Sequence, residues 1–220
     1  RHLAVMVLTS STDTETKLRA LDLGATDFLA KPVDPSELVL RVRNMLTVKA
    51  YQDQLVYYDP LTRFPNRSLF IEHLEAAYRR SSISGDLFAV MNLEIDQYKK
   101  INDTLGVGVA DDILAAVAQR LEKVVREADG LARLVGGVDF SIDISRFEGG
   151  VFGLLLRSID EIENAAAVAE RVTRAFKKAF SIDGNEIFVT LSIGIAGFPG
   201  AGEGGADLLR EASSAKDYVR

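Results

Sequence analysis

Arg146-Phe-Glu-Gly-Gly-Val-Phe152 runs straight into Gly153-Leu-Leu-Leu156, and Val138-Asp-Phe-Ser-Ile-Asp-Ile-Ser145 precedes it. The earlier segment alternates apolar and polar residues, which predicts a half-exposed antiparallel strand. The apolar run after Phe152 predicts a second strand. Between them, the adjacent glycines fit two readings. One is a tight hairpin. The other is a turn whose backbone N–H groups approach a phosphate closely. Under both readings a strand–turn–strand unit seeds an antiparallel sheet.

The pattern continues outward on both sides. Upstream, Leu87 to Ile95 predicts a strand with Leu87, Ala89, Met91, Leu93 and Ile95 on one face and Phe88, Val90, Asn92 and Glu94 on the other. A helix from Asp96 to Leu105 stops at Gly106. A longer one, about Ala110 to Ala128, carries Ile113, Leu114, Val117, Leu121, Val124 and Val125 inward, and Gly130 is expected to end it. Downstream, Ser158-Ile-Asp-Glu161 predicts a capping box for a helix through about Lys178. Asp183-Gly184 marks a hairpin between Phe180–Ile182 and a long strand from Ile187 to Ala196, and a helix from about Ala206 closes the chain. Strands and helices interleave, so the expected class is α+β: one mostly antiparallel sheet with flanking helices.

The amino-terminal part follows a different pattern. Leu3 to Leu8 predicts a buried strand, followed by a helix ending near Leu23 with Gly24 beyond it, then a strand from Thr26 to Ala30. Asp34-Pro35 supplies a helix cap and a first-turn proline. The helix they open is expected to run on through Leu55. Asp59-Pro60 and Pro65 break it, and Asn66 caps the next helix. The expected layout is a small α/β unit over residues 1–48, a linker helix over 49–58 and the α+β domain over 59–220.

Composition limits the functional classes. The 220 residues carry a formal charge of −6, which argues against nucleic-acid and anionic-membrane surfaces. No apolar run approaches a membrane span and no secretory signal is visible, so a cytoplasmic location is expected. Arg1 falls inside a strand pattern, so the chain reads as part of a longer protein. Without cysteine, and with only His2 and His73, any metal must be a hard ion on oxygen ligands. His73 is read as structural.

Several motifs, in order, resemble the GGDEF domain of diguanylate cyclases. They are Asp59-Pro-Leu-Thr-Arg-Phe-Pro-Asn-Arg67, Glu94-Ile-Asp-Gln-Tyr-Lys-Lys-Ile-Asn-Asp-Thr-Leu-Gly106, Ala110-Asp111, Arg126-x-x-Asp129, Arg146 to Phe152, and Leu191-Ser-Ile-Gly-Ile-Ala196. Residues 1–50 resemble the C-terminal half of a response-regulator receiver. There the resemblance makes Thr9 and Lys31 the phosphoryl-contacting pair. The cyclase resemblance implies a homodimer condensing two GTP into cyclic di-GMP with Mg2+ or Mn2+, provided the domain is active. It implies guanine contacts from Asn102 and Asp111, a phosphate contact from Lys99, and Gly149 in the nucleotide turn. It also implies an inhibitory cyclic di-GMP site at Arg126 and Asp129. A phosphodiesterase domain after Arg220 fits this setting, although no residue carries it.

The chain departs from the family at two sites, the first metal carboxylate and the signature turn. The family's first metal carboxylate, an aspartate, is Glu94 here. Arg146-to-Phe152 spacing places the five signature positions at Glu148, Gly149, Gly150, Val151 and Phe152, so both acids of the turn are missing. The alternative signature, Gly136-Gly-Val-Asp-Phe140, also lacks the third-position acid. With the first alignment, about a dozen inserted residues are expected to form an extra hairpin bearing Asp139 and Asp143. The leading expectation is therefore a degenerate domain without cyclase chemistry that binds GTP or cyclic di-GMP and regulates a neighbour. The rivals are an active cyclase, using Glu94 with Glu148 or Asp139, and a dimerisation scaffold that binds no nucleotide.

Overall fold

A computed structural model of the chain describes residues 3–10, 14–136, 141–200 and 202–219. It divides into two units, Arg1–Val56 and Tyr57–Arg220, and the division falls within the expected linker helix.

The first unit contains β1 (Met6–Thr9), α1 (Thr14–Asp22), β2 (Asp27–Ala30) and α2 (Pro35–Tyr57). β1 and β2 pair in parallel, with Thr9 opposite Ala30. Parallel neighbours need a crossover, and α1 supplies it. Gly24 follows α1 at φ 97°. The Asp34 carboxylate accepts from the Ser36 and Glu37 N–H groups at 2.7 and 3.0 Å, as its capping role requires.

The second unit begins with α3 (Arg67–Ser84), β3 (Leu87–Ile95) and α4 (Tyr98–Gly136), followed by the strands β4 (Ser141–Arg146) and β5 (Val151–Ile159). After α5 (Glu163–Ala175) come β6 (Phe180–Ile182), β7 (Asn185–Ile187), β8 (Leu191–Phe198) and α6 (Gly205–Val219). The main sheet has the order β4-β5-β3-β8 with every neighbour antiparallel, and β6-β7 form a separate ribbon. Asn66 caps α3 by accepting from Ser68 and Leu69. The two faces of β3 divide as its alternation predicts. Ala89, Met91, Leu93 and Ile95 enter a core with Ile113, Leu114, Val117 and Leu121 of α4. Phe88 and Val90 enter a second core with Phe70 and Leu74 of α3 and Leu208 and Ala212 of α6. Buried on both faces, β3 is the rigid central strand, and its C-terminal end carries Glu94.

Four expectations need correction. Gly130 does not end the helix: α4 runs on to Gly136, interrupted only at Gly106 (φ 83°, ψ 164°). A single interior glycine costs a helix about 1 kcal/mol, which flanking helix formers absorb. There is no extra hairpin among the described residues, because residues 131–136 prolong α4 and β4 is itself an edge strand of the main sheet. Asp139, with Val138 and Phe140, lies outside the described residues. The Ser158 capping box does not form either. Ser158 belongs to β5 at φ 53°, and α5 starts after Ile162 without a side-chain cap. Finally, the strand expected from Ile187 to Ala196 is two, β7 and β8. Residues 188–190 leave the ribbon, bury Val189 and expose Phe188 before joining the main sheet.

Candidate functional site

The C-terminal end of β3 faces α6 through a polar ladder. Asn92 donates from Nδ2 to Ser213 Oγ at 2.6 Å. Two residues on, Glu94 Oε2 accepts from the Lys216 ammonium, one helical turn after Ser213. Lys216 also lies 3.2 Å from Asp217 Oδ1. The Lys216 side chain is 8% exposed and that of Glu94 19%. Gly194, opposite Asn92 on β8, makes this geometry available. A Cβ built there would sit 1.9 Å from the Ala212 carbonyl oxygen and 2.5 Å from the Lys216 nitrogen, so only glycine lets α6 approach this closely. Burial opposes the Lys216 charge, but hydrogen bonds to Glu94 and Asp217 outweigh it and hold the ammonium above the usual lysine range. Beyond Glu94, Asp96 accepts from the Thr190 and Ser192 hydroxyls at 2.5 and 2.6 Å, which staples the end of β3 to β8.

The turn between β4 and β5 lies beside this end. Phe147 N–H donates to the Val151 carbonyl at 2.8 Å, and Gly149 adopts φ 59°. Glu94 stands opposite Val151, and Ile95 N–H donates to the Gly150 carbonyl at 2.9 Å. Gly150 is buried. A Cβ there would lie 2.9 Å from Tyr98 Cβ and Cγ and 3.1 Å from Ile95 Cβ. Arg146 locks the turn: Nη2 donates to the Gly149 carbonyl at 3.1 Å, and Nη1 pairs with Asp59 Oδ2 at 2.5 Å. Both side chains of that pair are mostly buried, at 14% and 10% exposed. The other Asp59 oxygen accepts from Thr62 N–H and its hydroxyl at 2.8 and 2.7 Å. The segment that opens the unit is thereby tied to the turn.

The first turns of α4 lie next to Gly150 through Tyr98. Burial raises the Tyr98 phenol pKa, the Asp111 carboxylate adds to that, and Arg146 opposes it. Tyr98 therefore sits within electrostatic reach of both Asp111 and the turn. Asn102 and Asp111 are half-buried on α4 on either side of the Gly106 break, and Lys99 is exposed. Arg126 lies farther along α4, 76% exposed and paired with Glu122 four residues earlier. The Asp129 side chain falls outside the described residues. In the first unit, Lys31 N–H donates to the Thr9 carbonyl at 2.7 Å, so Thr9 and Lys31 share one end of the parallel pair. His73 lies 3.5 Å from Asp143, which also pairs with Arg157.

Comparison with known proteins places this geometry. Residues 56–218 match the family described as diguanylate cyclase, GGDEF domain. The chain belongs to the GGDEF family. The response regulator PleD of Caulobacter vibrioides is 30% identical over 225 residues, covering 96% of this chain and 46% of PleD. The chain thus spans less than half the length of that relative. Among solved structures, the GGDEF domain of TpbB (YfiN) from Pseudomonas aeruginosa superposes with a TM-score of 0.64 at 29% identity, covering 74% of this chain and 87% of that one. The coiled coil and GGDEF domain of DgcB from Caulobacter crescentus, in complex with c-di-GMP, shares the fold with a TM-score of 0.69 at 19% identity, covering 84% and 91%.

GGDEF cyclases hold Mg2+ or Mn2+ when active, and the residues here do not fit such a pair of ions. The Glu94 carboxylate carries an ammonium, the third signature position is a glycine with Tyr98 against it, and Asp143 is tied to Arg157. Among the described residues no three of His, Asp and Glu gather where they could hold one ion. Sequence reasoning missed Lys216, Gly194 and the Asp59–Arg146 pair. Lys216 was legible in principle. It follows Leu208 and Ala212 at four-residue steps, and a lysine on the apolar stripe of a helix needs a buried partner.

Proposed function

We propose that this GGDEF domain is a cyclic di-GMP signalling module without cyclase chemistry, which binds GTP or cyclic di-GMP and reports that state to a neighbouring domain. The buried Gly150 carries the reading. It stands where the family's turn carries an acid, and Tyr98 and Ile95 fill the space that acid would use. Phosphoryl transfer depends on positioning and charge neutralisation, so a half-site short of one bridging carboxylate forfeits most of its rate.

The nucleotide-facing residues remain. Asn102 and Asp111 offer an amide and a carboxylate suited to a guanine edge, Lys99 lies on the same helix for the phosphates, and Gly149 presents the turn. Arg126 and Asp129 are the proposed cyclic di-GMP contact, a guanidinium being suited to both phosphate and guanine edge. Residues 1–48 are assigned as the C-terminal half of a receiver, with Thr9 and Lys31 at its phosphoryl end. The 96% coverage by a response regulator supports this assignment. The partners are therefore a guanine nucleotide and a second copy of the chain.

Calorimetric titration with GTP and with cyclic di-GMP tests the reading. Saturable binding of at least one is expected, weakened by Asn102→Ala for GTP or by Arg126→Ala for cyclic di-GMP. Heat-silent titrations with both nucleotides would instead favour a dimerisation scaffold.

A further inference from the structure

We infer that Lys216 is the resident cation of this site: its ammonium holds the Glu94 carboxylate where a divalent ion would otherwise bind, and so keeps metal out. The inference rests on assigning Glu94 to the family's first carboxylate position and is independent of nucleotide binding. Three observations carry it. The ammonium is in direct contact with Glu94 Oε2, and both side chains are mostly buried. Lys216 is fixed from behind, because α6 packs so tightly over Gly194 that a Cβ there would meet the Lys216 backbone nitrogen. It also sits in the last turn of α6, where unpaired carbonyls favour a cation.

A divalent ion approaching Glu94 would meet an ammonium that the packing prevents from retreating, and like-charge repulsion opposes its entry. Gly150, across the strand pair, offers no second carboxylate to offset that repulsion. A lysine serves here because its point charge lies on a long apolar stem that the core can bury. The predicted consequence is a half-site whose electrostatics are set by the chain itself rather than by the metal concentration.

Paramagnetic broadening by Mn2+ of amide signals in the 15N-labelled full chain tests this without any nucleotide, so its outcome is separable from that of the binding titrations. In the wild type, the amides of Glu94, Ile95 and Gly150 should broaden no more than exposed acidic positions elsewhere. In Lys216→Met, which keeps stem length and apolar packing, those three signals should be lost selectively. Adding Glu94→Gln should restore them. Should Lys216→Met lose the dispersed spectrum of a folded chain, Lys216→Gln is read in the same way. Selective broadening in the wild type, or none in the lysine variant, overturns the inference.

Discussion

Removing the ammonium from Glu94 exposes what that contact contributes. Truncating one member of a mostly buried, hydrogen-bonded charge pair costs about 1–3 kcal/mol, and Lys216→Ala should shift the urea midpoint by that amount. The penalty of Lys216→Ala with Glu94→Gln should be smaller than the sum of the two singles, because the charges act as a unit. The sign of the pH dependence follows from the raised folded pKa. The Lys216 contribution is complete below its ordinary value of 10.5 and is lost as pH rises through the higher folded value. The Tyr98 phenol, raised from 10.0, adds an alkaline loss of the same sign. Lys216→Met should therefore shrink the loss of stability that sets in as pH rises above 10.5, read as urea midpoints at each pH. Arg146 presents a second pair of this kind. Arg146→Ala leaves the Asp59 carboxylate mostly buried without its guanidinium and should destabilise the domain by about 3 kcal/mol. Arg146→Lys should recover little of this, since an ammonium cannot reach Asp59 and the Gly149 carbonyl as a planar fork does.

Two glycines decide how the elements meet. Gly194→Val should force α6 off β8, since its first side-chain carbon already overlaps the Ala212 carbonyl. The expected cost is at least about 2 kcal/mol, visible as a lowered melting temperature. Gly150→Glu would restore an acid to the signature turn, but Tyr98 stands against it. The variant should melt lower than the wild type and still form no cyclic di-GMP in a chromatographic assay. Much of the element layout was legible in the sequence because its signals are local. The alternation through β3, the Asn66 cap, the break at Gly106 and the hairpin at Asp183-Gly184 each express one periodicity or one backbone demand. Ser158-Ile-Asp-Glu161 misled because a capping box is a four-residue pattern, and β5 runs on through Ser158, where the register shifts between the Phe88–Arg157 and Leu87–Ile159 pairs. Gly130 misled because a helix tolerates one glycine. The site was legible only as separate pieces. Lys216 meets Glu94 across 122 residues of chain, and although its place on the apolar stripe of α6 calls for a buried partner, nothing local says which.

For the whole molecule, family membership and activity are separate questions. Fold, motif order and coverage of residues 56–218 establish a GGDEF domain. The chemistry depends on a few carboxylates at one end of one strand pair, and there the chain carries a glycine and a lysine-bound glutamate. On the proposed reading both substitutions act in the same direction, against divalent-ion catalysis, while Asn102 and Asp111 offer groups suited to a guanine edge. The Asp59–Arg146 contact ties the opening segment of the domain to the turn. The most direct test incubates the full chain with GTP and Mn2+ and assays for cyclic di-GMP by chromatography. The account predicts no product above the protein-free control; cyclic di-GMP formation that Glu94→Ala abolishes would contradict it.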